Sequence, residues 1–455
     1  MEEINGILRE EEIRLAHECI GRALSLGADK VRITLNKSLM ELFGTLNGEL
    51  DKVNHCLDRS MSICLFVNGR FGSFSTNRLV EEELDIFLSR SIAMVRMLAE
   101  DPCRDLPDPS RTCKTAKSGL ELGLYDPAYP GITSDMRLKL ALDSSIFMNH
   151  KGEDLISEEG EYSDSIFDTY VIDSNGLECR HTETSFEYGV EMTVQDTEGT
   201  RFSGYWWDSA PVFKDLKALS CGETALQRAR AQIGPIKVQG GEYTMVVDSE
   251  NSSRLLTPVT NALGAFALQQ KNSFLLDSLG KKIFPEWMDV IDKPHAAGQT
   301  GSRLFDSEGV ATRETPVIEG GIIKEYFVNT YMAAKMGIAP TIEDVIRPVI
   351  PPCTAPGLER PEKLDRNVIM NMVGEGILVT GFNGGNSNSA TGDFSFGVEG
   401  FLFKDGKIVH PVREMLITGN LITLWNNLLA AGEDARPCKS KLIPTLAFGK
   451  VYFSA

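Results

Sequence analysis

A cluster of turn-forming residues near the middle of the chain is the strongest break in the sequence. Gly234-Pro235 is followed closely by Gly240-Gly241, and neither a helical nor a strand pattern continues through this stretch. A chain of 455 residues also exceeds what one hydrophobic core usually organises. The sequence therefore predicts two domains, residues 1–235 and residues 236–455.

The first predicted domain combines helical and strand patterns. Apolar residues recur at helical spacing in four segments, residues 10–26, 81–99, 137–147 and 214–232. Asn68-Gly69 separates two strand-like runs, residues 61–67 and 71–75, as expected for a hairpin. Residues 156–207 contain β-rich segments punctuated by turns, which indicates an antiparallel meander. These patterns predict an α/β N-terminal domain.

The second predicted domain is dominated by short strands and glycine turns. Residues 243–247 form a short apolar run typical of a buried strand. Helical spacing follows over residues 249–270, but Pro258 is costly inside a helix, so the helix is expected to begin near Thr257. Another helix is predicted over residues 420–431. The fold class expected for the whole chain is α+β, with a β-rich C-terminal domain after the α/β one.

The composition of the chain argues against nucleic-acid binding, secretion and membrane insertion. The chain has 46 Lys and Arg against 64 Asp and Glu, a net charge of −18, and no basic run, so direct nucleic-acid binding is not expected. The first twelve residues carry five glutamates, unlike a signal peptide, and no run of eighteen apolar residues suggests a membrane span. Nine cysteines without a Cys-x-x-Cys pair are typical of reduced thiols, so the expected location is the cytoplasm.

Zinc-binding patterns are weak in this sequence. The six histidines include no His-Glu-x-x-His pair that would bind zinc from successive helical turns. His55, Cys56 and Cys64 are a scattered candidate, but their spacing matches no recurring zinc frame. These three residues are expected to flank or line a β core instead.

A serine or threonine hydrolase that uses Ser395 is one alternative function. The sequence Asp393-Phe394-Ser395-Phe396-Gly397 approaches the Gly-x-Ser-x-Gly nucleophile elbow, and His410 follows downstream. The elbow requires a strand, a sharp turn and a helix, whereas residues 394–403 alternate like a strand. A glycine-bearing strand is therefore the favoured interpretation.

One polar segment, residues 381–393, differs from ordinary surface. Its glycines allow the backbone to expose N–H groups, and its amides and hydroxyls supply donors and acceptors, so it suits binding of an extended polypeptide. A plain turn between two strands is the alternative. Replacing both Gly384 and Gly385 with valine is expected to weaken peptide binding and to leave folding intact. The candidate peptide-binding residues are Asn383, Gly384, Gly385, Asn386, Ser387, Asn388, Asp393 and Ser395.

Four segments of the chain resemble the TldD/PmbA family, once described as modulators of DNA gyrase and now grouped with metallopeptidases. These segments are Ser273 to Gly280, Gly392 to Ser395, Phe401 to Pro411 and Ile417 to Leu421. The resemblance covers nearly the whole length, and the first two segments are similar to the PmbA, or TldE, branch.

This resemblance implies a heterodimer with a TldD-type family member around a chamber for unfolded peptides, or a homodimer when the chain is alone. In the TldD branch, a helix with two histidines and a glutamate, together with a later cysteine, binds zinc. The matching helix here, residues 255–269, contains neither residue type, and residues 383–393 contain no cysteine. No catalytic residue, metal ligand or cofactor is therefore expected in this chain, and zinc is expected in the TldD-type partner. A partner-binding modulator that acts indirectly on a DNA enzyme is the other alternative.

Overall fold

The computed structural model describes residues 6–150, 152 and 154–454. These residues form two compact units: the first contains the chain through Ala229 together with His295–Thr312 and Asn329–Glu343, and the second contains Arg230–Pro294, Arg313–Val328 and the chain from Asp344 onward. Both units combine helices and sheets, which confirms the α+β class. Among the described residues, no helix has the length and apolar character needed to cross a membrane.

The helices and strands are numbered in chain order. The α-helices are α1 (Glu10–Ser25), α2 (Glu81–Val95), α3 (Ser134–Asp143), α4 (Cys221–Arg230), α5 (Ser253–Ala262), α6 (Ala265–Gln269), α7 (Thr330–Met336), α8 (Arg366–Val373) and α9 (Leu421–Asn426). The strands are β1 (Lys30–Leu46), β2 (Glu49–Val67), β3 (Arg70–Thr76), β4 (Leu155–Asp173), β5 (Glu178–Gln195), β6 (Arg201–Ala210), β7 (Gly241–Val247), β8 (Val290–Asp292), β9 (Thr315–Glu319), β10 (Ile322–Ile323), β11 (Pro348–Val349), β12 (Cys353–Thr354), β13 (Glu375–Phe382), β14 (Asn386–Ser387), β15 (Asp393–Lys404), β16 (Lys407–Asn420), β17 (Leu428–Ala431) and β18 (Leu446–Ser454).

The first unit is built on a six-stranded antiparallel sheet with the order β3-β2-β1-β4-β5-β6. The predicted hairpin is confirmed: Asn68 and Gly69 both have positive φ, as a tight turn between β2 and β3 requires. The predicted meander is confirmed as β4, β5 and β6. Strand β2 begins at Glu49, far earlier than predicted, because its polar first half is held by backbone pairing with β1 and carries no apolar alternation.

Helices α1 and α2 cover one face of this sheet. Ala16 and Cys19 of α1 and Leu88 of α2 are fully buried against Ile33 of β1 and Ile63 of β2. Helix α4 begins at Cys221, later than predicted, because side chains from elsewhere bind the preceding backbone N–H groups. The carboxylate of Asp126 accepts from the N–H of Phe213, and that of Asp208 accepts from the N–H of Lys217, each at 2.9 Å.

A buried ion pair anchors α3 to strand β4. The Asp164 carboxylate, which is fully buried, accepts from Arg137 Nε at 2.6 Å and from Arg137 Nη2 at 3.0 Å. The hydroxyls of Tyr129 and Tyr162 donate to the same carboxylate at 2.9 and 2.6 Å. Because four donors satisfy it, the charge can remain in the interior of the first unit.

The second unit contains an eight-stranded sheet with the order β12-β17-β18-β16-β15-β13-β7, in which β14 pairs with β15. Strand β18 also pairs with β7, so five strands close into a ring, and β13 pairs with β7 in parallel. Val246, Leu378, Phe403 and Ala447 from these strands are buried together against Ile369 of α8. A smaller sheet has the order β10-β9-β8-β11.

Two helix predictions in the second unit are wrong in extent. Helix α5 begins at Ser253 and keeps Pro258 inside it, where the Thr257 hydroxyl donates to the Ser253 carbonyl at 2.8 Å. The helix predicted over residues 420–431 ends at Asn426, and its second half is strand β17. Leu428, Ala430 and Ala431 are strand residues because they pair with β18, which is a partner that helical spacing does not reveal.

Candidate functional site

The polar segment between β13 and β15 is a folded excursion from the sheet. Asn386 and Ser387 form strand β14 opposite Ser395 and Phe394. The Asn388 N–H donates to the Asp393 carbonyl at 2.7 Å, and the Asn388 Oδ1 accepts from the N–H of Ala390 at 2.9 Å. The amide side chain thus closes the turn that returns the chain to β15. We call residues 381–393 the polar excursion.

The two adjacent glycines of the polar excursion differ in what a side chain at each position would contact. Both have positive φ, 73° at Gly384 and 84° at Gly385. A Cβ atom on Gly384 would meet no atom within 4 Å, whereas one on Gly385 would overlap the Ser395 carbonyl and lie 2.6 Å from Phe396 Cα. Because those neighbours are backbone of β15, the expectation that valine at both positions leaves folding intact is wrong for Gly385.

Asp393 lies at the base of the polar excursion in a hydrogen-bonded cluster. Asn420 Nδ2 donates to one of its carboxylate oxygens at 2.9 Å, and the Thr391 hydroxyl donates to the other at 2.7 Å. These bonds lower the pKa of Asp393 below its ordinary value. Asn420 also caps α9 by accepting from the Ile422 N–H at 3.0 Å, so the excursion and α9 are tied together.

Replacing Asn420 with aspartate is expected to raise the pKa of Asp393. The new carboxylate keeps the acceptor that caps α9, but it removes the amide donor and places a like charge beside Asp393. In the wild type the pKa of Asp393 is lower in the folded state than in the unfolded state. The hydrogen bonds to Asp393 therefore stabilise the folded protein at pH values above the unfolded-state pKa. This stabilisation is lost as the pH falls through the folded-state pKa. Carboxyl NMR titration of wild type and Asn420→Asp measures the difference. An unchanged Asp393 pKa in the variant would contradict this account of the cluster.

An arginine and a cluster of aromatic rings support the polar excursion from β15 and α5. Arg254 Nη2 donates to the Gly385 carbonyl at 3.2 Å, and its guanidinium carbon lies 5.3 Å from the centre of the Phe396 ring. Phe396 stacks on Phe394 at 5.3 Å and meets Phe382 edge-on at 5.7 Å. Sequence reasoning missed Arg254, because no local pattern connects it with a glycine 131 positions away.

A segment quoted for the family resemblance also contacts the polar excursion. The Phe274 N–H donates to the Ser389 carbonyl at 2.9 Å, and the Phe274 ring lies against Gly392. Exposed apolar side chains follow, with Leu276 at 38% and Leu279 at 51% exposure, and Phe266 of α6 at 64%. The second unit therefore presents a hydrogen-bonding loop together with nearby apolar surface.

The structure brings all eight predicted site residues to this one place. Ser387 is half-buried, and the other seven are exposed. Asn383 Nδ2 donates to Glu399 Oε2 at 3.0 Å, and the Ser387 N–H donates to Asn386 Oδ1 at 2.8 Å. Asn383 therefore uses an amide donor inside the protein, and Asn386 and Asn388 use their amide acceptors, whereas the Nδ2 donors of Asn386 and Asn388 have no partner among the described residues.

Ser395 and His410 are not brought together. Ser395 pairs with Thr418 on β16, while His410, on the same strand, pairs with Leu402. Eight residues of extended strand separate Thr418 from His410, which is about 25 Å. A general base must lie within hydrogen-bond reach of its nucleophile, so His410 does not complete a hydrolase triad with Ser395.

The scattered zinc candidate is also separated in space. His55 and Cys64 lie nine residues apart on strand β2, which is about 30 Å. His55 Nδ1 instead lies 2.8 Å from Glu41 Oε1 on the neighbouring strand. Within residues 6–150, 152 and 154–454, no group of three or more His, Cys, Asp or Glu side chains is arranged to hold a metal ion.

Comparisons with known proteins cover most of the chain. Residues 240–455 match the family model of the PmbA/TldA metallopeptidase C-terminal domain, and residues 132–233 match that of the central domain. The chain is 25% identical to metalloprotease PmbA of Escherichia coli O157:H7 over 451 residues, 96% of each chain.

Two solved structures share the fold of this chain, and one of them is also similar in sequence. A Bacteroides thetaiotaomicron protein described as a candidate modulator of DNA gyrase is 39% identical, with a TM-score of 0.91 over 98% of this chain and 99% of its own. TldE of Thermococcus kodakarensis shares the fold, with a TM-score of 0.81, 18% identity and coverage of 97% and 100%. The chain therefore belongs to the PmbA/TldD metallopeptidase family.

Proposed function

We propose that this chain is a PmbA/TldE-type subunit that holds unfolded peptides while a zinc-bearing, TldD-type partner cleaves them. Catalytic zinc needs about three protein ligands and one open position for water. The described side chains do not fit that requirement, because no such ligand group exists among residues 6–150, 152 and 154–454. We therefore assign no bond-breaking step to this chain.

The polar excursion is the observation that carries this proposal. An extended peptide presents a carbonyl oxygen at every residue, and the exposed Nδ2 atoms of Asn386 and Asn388 supply uncharged donors for such oxygens. The Asn388 N–H is bonded to β15, so by strand alternation the Ser387 carbonyl faces the open side, while the Ser387 N–H is already bonded to Asn386 Oδ1. Contacts to peptide backbone tolerate any side-chain sequence, which suits an unfolded substrate.

Changing both Asn386 and Asn388 to aspartate tests the amide donors. Aspartate keeps the oxygens that accept from Ser387 and Ala390, so the fold of the excursion is retained while both donors are lost. Losing two hydrogen bonds of about 1 kcal/mol each should raise the KM for an unfolded peptide by about tenfold or more in the complex. The thermal midpoint should change little.

The matched control is Ser389→Asp, which adds a charge beside the same residues and removes no amide donor. We expect it to change KM much less than the double variant does. If the double variant has the wild-type KM, the excursion is only a connector, and the peptide-holding role is contradicted.

Ser395→Ala is expected to leave peptide cleavage by the complex unchanged. Ser395 is exposed and lies about 25 Å from His410, so nothing in the described structure activates its hydroxyl. Turnover by the assembled complex and co-elution with the partner are the measurements. A loss of several orders of magnitude with intact assembly would restore the hydrolase alternative.

A further inference from the structure

Two cysteines that are distant in the sequence face each other inside the first unit. Cys113 belongs to the segment of residues 112–119, and Cys179 lies on β5. The Cys179 thiol donates to the Cys113 carbonyl at 3.2 Å, and the two thiols are hydrogen-bonded to each other. Both side chains are buried in one small apolar cluster. Each sulfur is therefore held within reach of the other.

Backbone pairing fixes the two segments side by side. The Arg180 N–H of β5 donates to the Ala116 carbonyl at 2.8 Å, and the Cys113 N–H donates to the Gly309 carbonyl at 2.9 Å. Paired backbones lie about 5 Å apart, which is within the Cα separation that a disulfide bridges. Because the Cys179 sulfur already contacts the main chain of Cys113, rotation of the side chains is enough to join the two sulfurs.

We propose that Cys113 and Cys179 are a redox modification site, at which a small hydroperoxide oxidises the two thiols to an intramolecular disulfide. This inference does not depend on the peptidase role proposed above, because it uses only side chains of the first unit. The burial of both sulfurs excludes the thiols of other proteins, so the disulfide forms within one chain.

The environments of the two sulfurs determine which one reacts first. The hydrogen bond from the Cys179 thiol, together with those from Thr115, lowers the pKa of Cys113 below its ordinary value against the opposing effect of burial. The same hydrogen bond and burial raise the pKa of Cys179. Because the thiolate is the nucleophilic form, Cys113 attacks first and Cys179 keeps its proton for the second step.

The proposed oxidation has two steps. The Cys113 thiolate attacks one oxygen of the hydroperoxide, the O–O bond breaks, and Cys113 becomes a sulfenic acid as hydroxide or alkoxide leaves. The Cys179 sulfur then attacks the Cys113 sulfur, the S–O bond breaks, and the Cys179 proton leaves with the departing oxygen as water. With hydrogen peroxide, two thiols and one peroxide give one disulfide and two waters.

A short polar segment separates the pair from solvent. Lys114 and Lys117, which follow Cys113 in the sequence, are both exposed. Lys117 Nζ donates to the carbonyl of Glu178, the residue before Cys179, at 2.9 Å. Cations beside a thiol favour its thiolate form. A small hydroperoxide therefore needs only a local opening of this segment to reach Cys113.

The disulfide would tie the segment of residues 112–119 to β5. Its two cysteines are 66 positions apart, so the bond would close a long loop. Such a bond restricts the unfolded chain more than the folded chain. We expect the thermal midpoint of the oxidised protein to be higher by about 5 °C or more.

Peptide mapping of the oxidised chain tests the site. The fully reduced full-length protein is treated with hydrogen peroxide, alkylated and digested. A peptide pair linked through Cys113 and Cys179 should appear with the loss of two hydrogen atoms, and dithiothreitol should reverse it. Cys19 is the control within the same sample, because it is fully buried on α1 and burial raises its pKa. It should remain a free thiol.

Two variants test the order of reaction. In Cys179→Ser the hydroxyl can still donate to residue 113, so Cys113 should stop at the sulfenic acid, which dimedone labels. Cys113→Ser should give neither the disulfide nor a dimedone adduct on Cys179. A purely structural role of the pair would produce no such adduct. The thermal midpoint of each variant shows whether it is folded, and the wild-type map decides the proposal even if a variant does not fold.

Three results would overturn the proposal. The first is free Cys113 and Cys179 in the wild type at peroxide amounts that oxidise the exposed Cys56. The second is a disulfide that joins Cys113 to any cysteine other than Cys179. The third is oxidation of Cys19 to the same extent as Cys113, which would show that the reaction does not select this pair.

Discussion

The variant Gly385→Ala is expected to lose most of the peptide turnover that the complex of this chain with its partner supports. The methyl group would overlap the Ser395 carbonyl and lie 2.6 Å from Phe396 Cα, and the φ of 84° is itself unfavourable for alanine. Overpacking against backbone and the strained conformation together should cost about 2–4 kcal/mol. The polar excursion should therefore separate from β15, and its amide donors should lose their positions.

Gly384→Ala is the matched control for this prediction. Its φ is 73°, nearly the same, but its Cβ would meet no atom within 4 Å, so only the backbone penalty of about 1 kcal/mol applies. Turnover, KM and the thermal midpoint of both variants should be measured with the same partner. Wild-type kinetics for Gly385→Ala would show that the position of the polar excursion does not matter for the peptide.

Asp164→Ala is expected to destabilise the first unit by about 3–5 kcal/mol, because it leaves the buried Arg137 guanidinium without its counter-ion. The variant also removes the acceptor of the Tyr129 and Tyr162 hydroxyls. For a unit of this size, the loss corresponds to a decrease of roughly 10 °C in the thermal midpoint. Chemical denaturation followed by circular dichroism measures the change in unfolding free energy.

The exposed pair between Lys139 and Asp143 provides a control on the same helix. Its Nζ to Oδ2 distance is also 2.6 Å, yet the side chains are 74% and 51% exposed, so Asp143→Ala should cost less than about 1 kcal/mol. Equal effects of the two variants would contradict the assignment of Asp164 as the buried anchor of α3.

Sequence patterns correctly predicted the helices and turns that are determined by residues close together in the chain. Helix α1 follows from apolar spacing, and the turn between β2 and β3 follows from Asn68-Gly69, whose positive φ values are tolerated by asparagine and glycine. The predictions were less accurate where pairing with distant chain decided the structure. Strand β17 exists because it pairs with β18, and the first half of β2 exists because it pairs with β1.

The candidate site shows the same division between local and distant causes. Composition alone singled out residues 381–393 as a polar loop, and the structure has a hydrogen-bonded excursion there, whereas its role in peptide binding stays a prediction. Composition did not show that Arg254 would hold the Gly385 carbonyl or that Ser395 and His410 would lie far apart. Those facts depend on the order and register of β13, β15 and β16, which one sequence does not specify.

The most direct test of the central proposal is cleavage of an unfolded peptide by this chain alone, by a TldD-type partner alone and by their mixture, with zinc counted in each sample. A subunit that holds peptide without catalysing cleavage should bind no stoichiometric zinc and show no turnover alone, while the mixture should cleave with zinc contributed by the partner. Turnover by the isolated chain at the rate of the mixture, with one zinc per chain, would contradict the proposal.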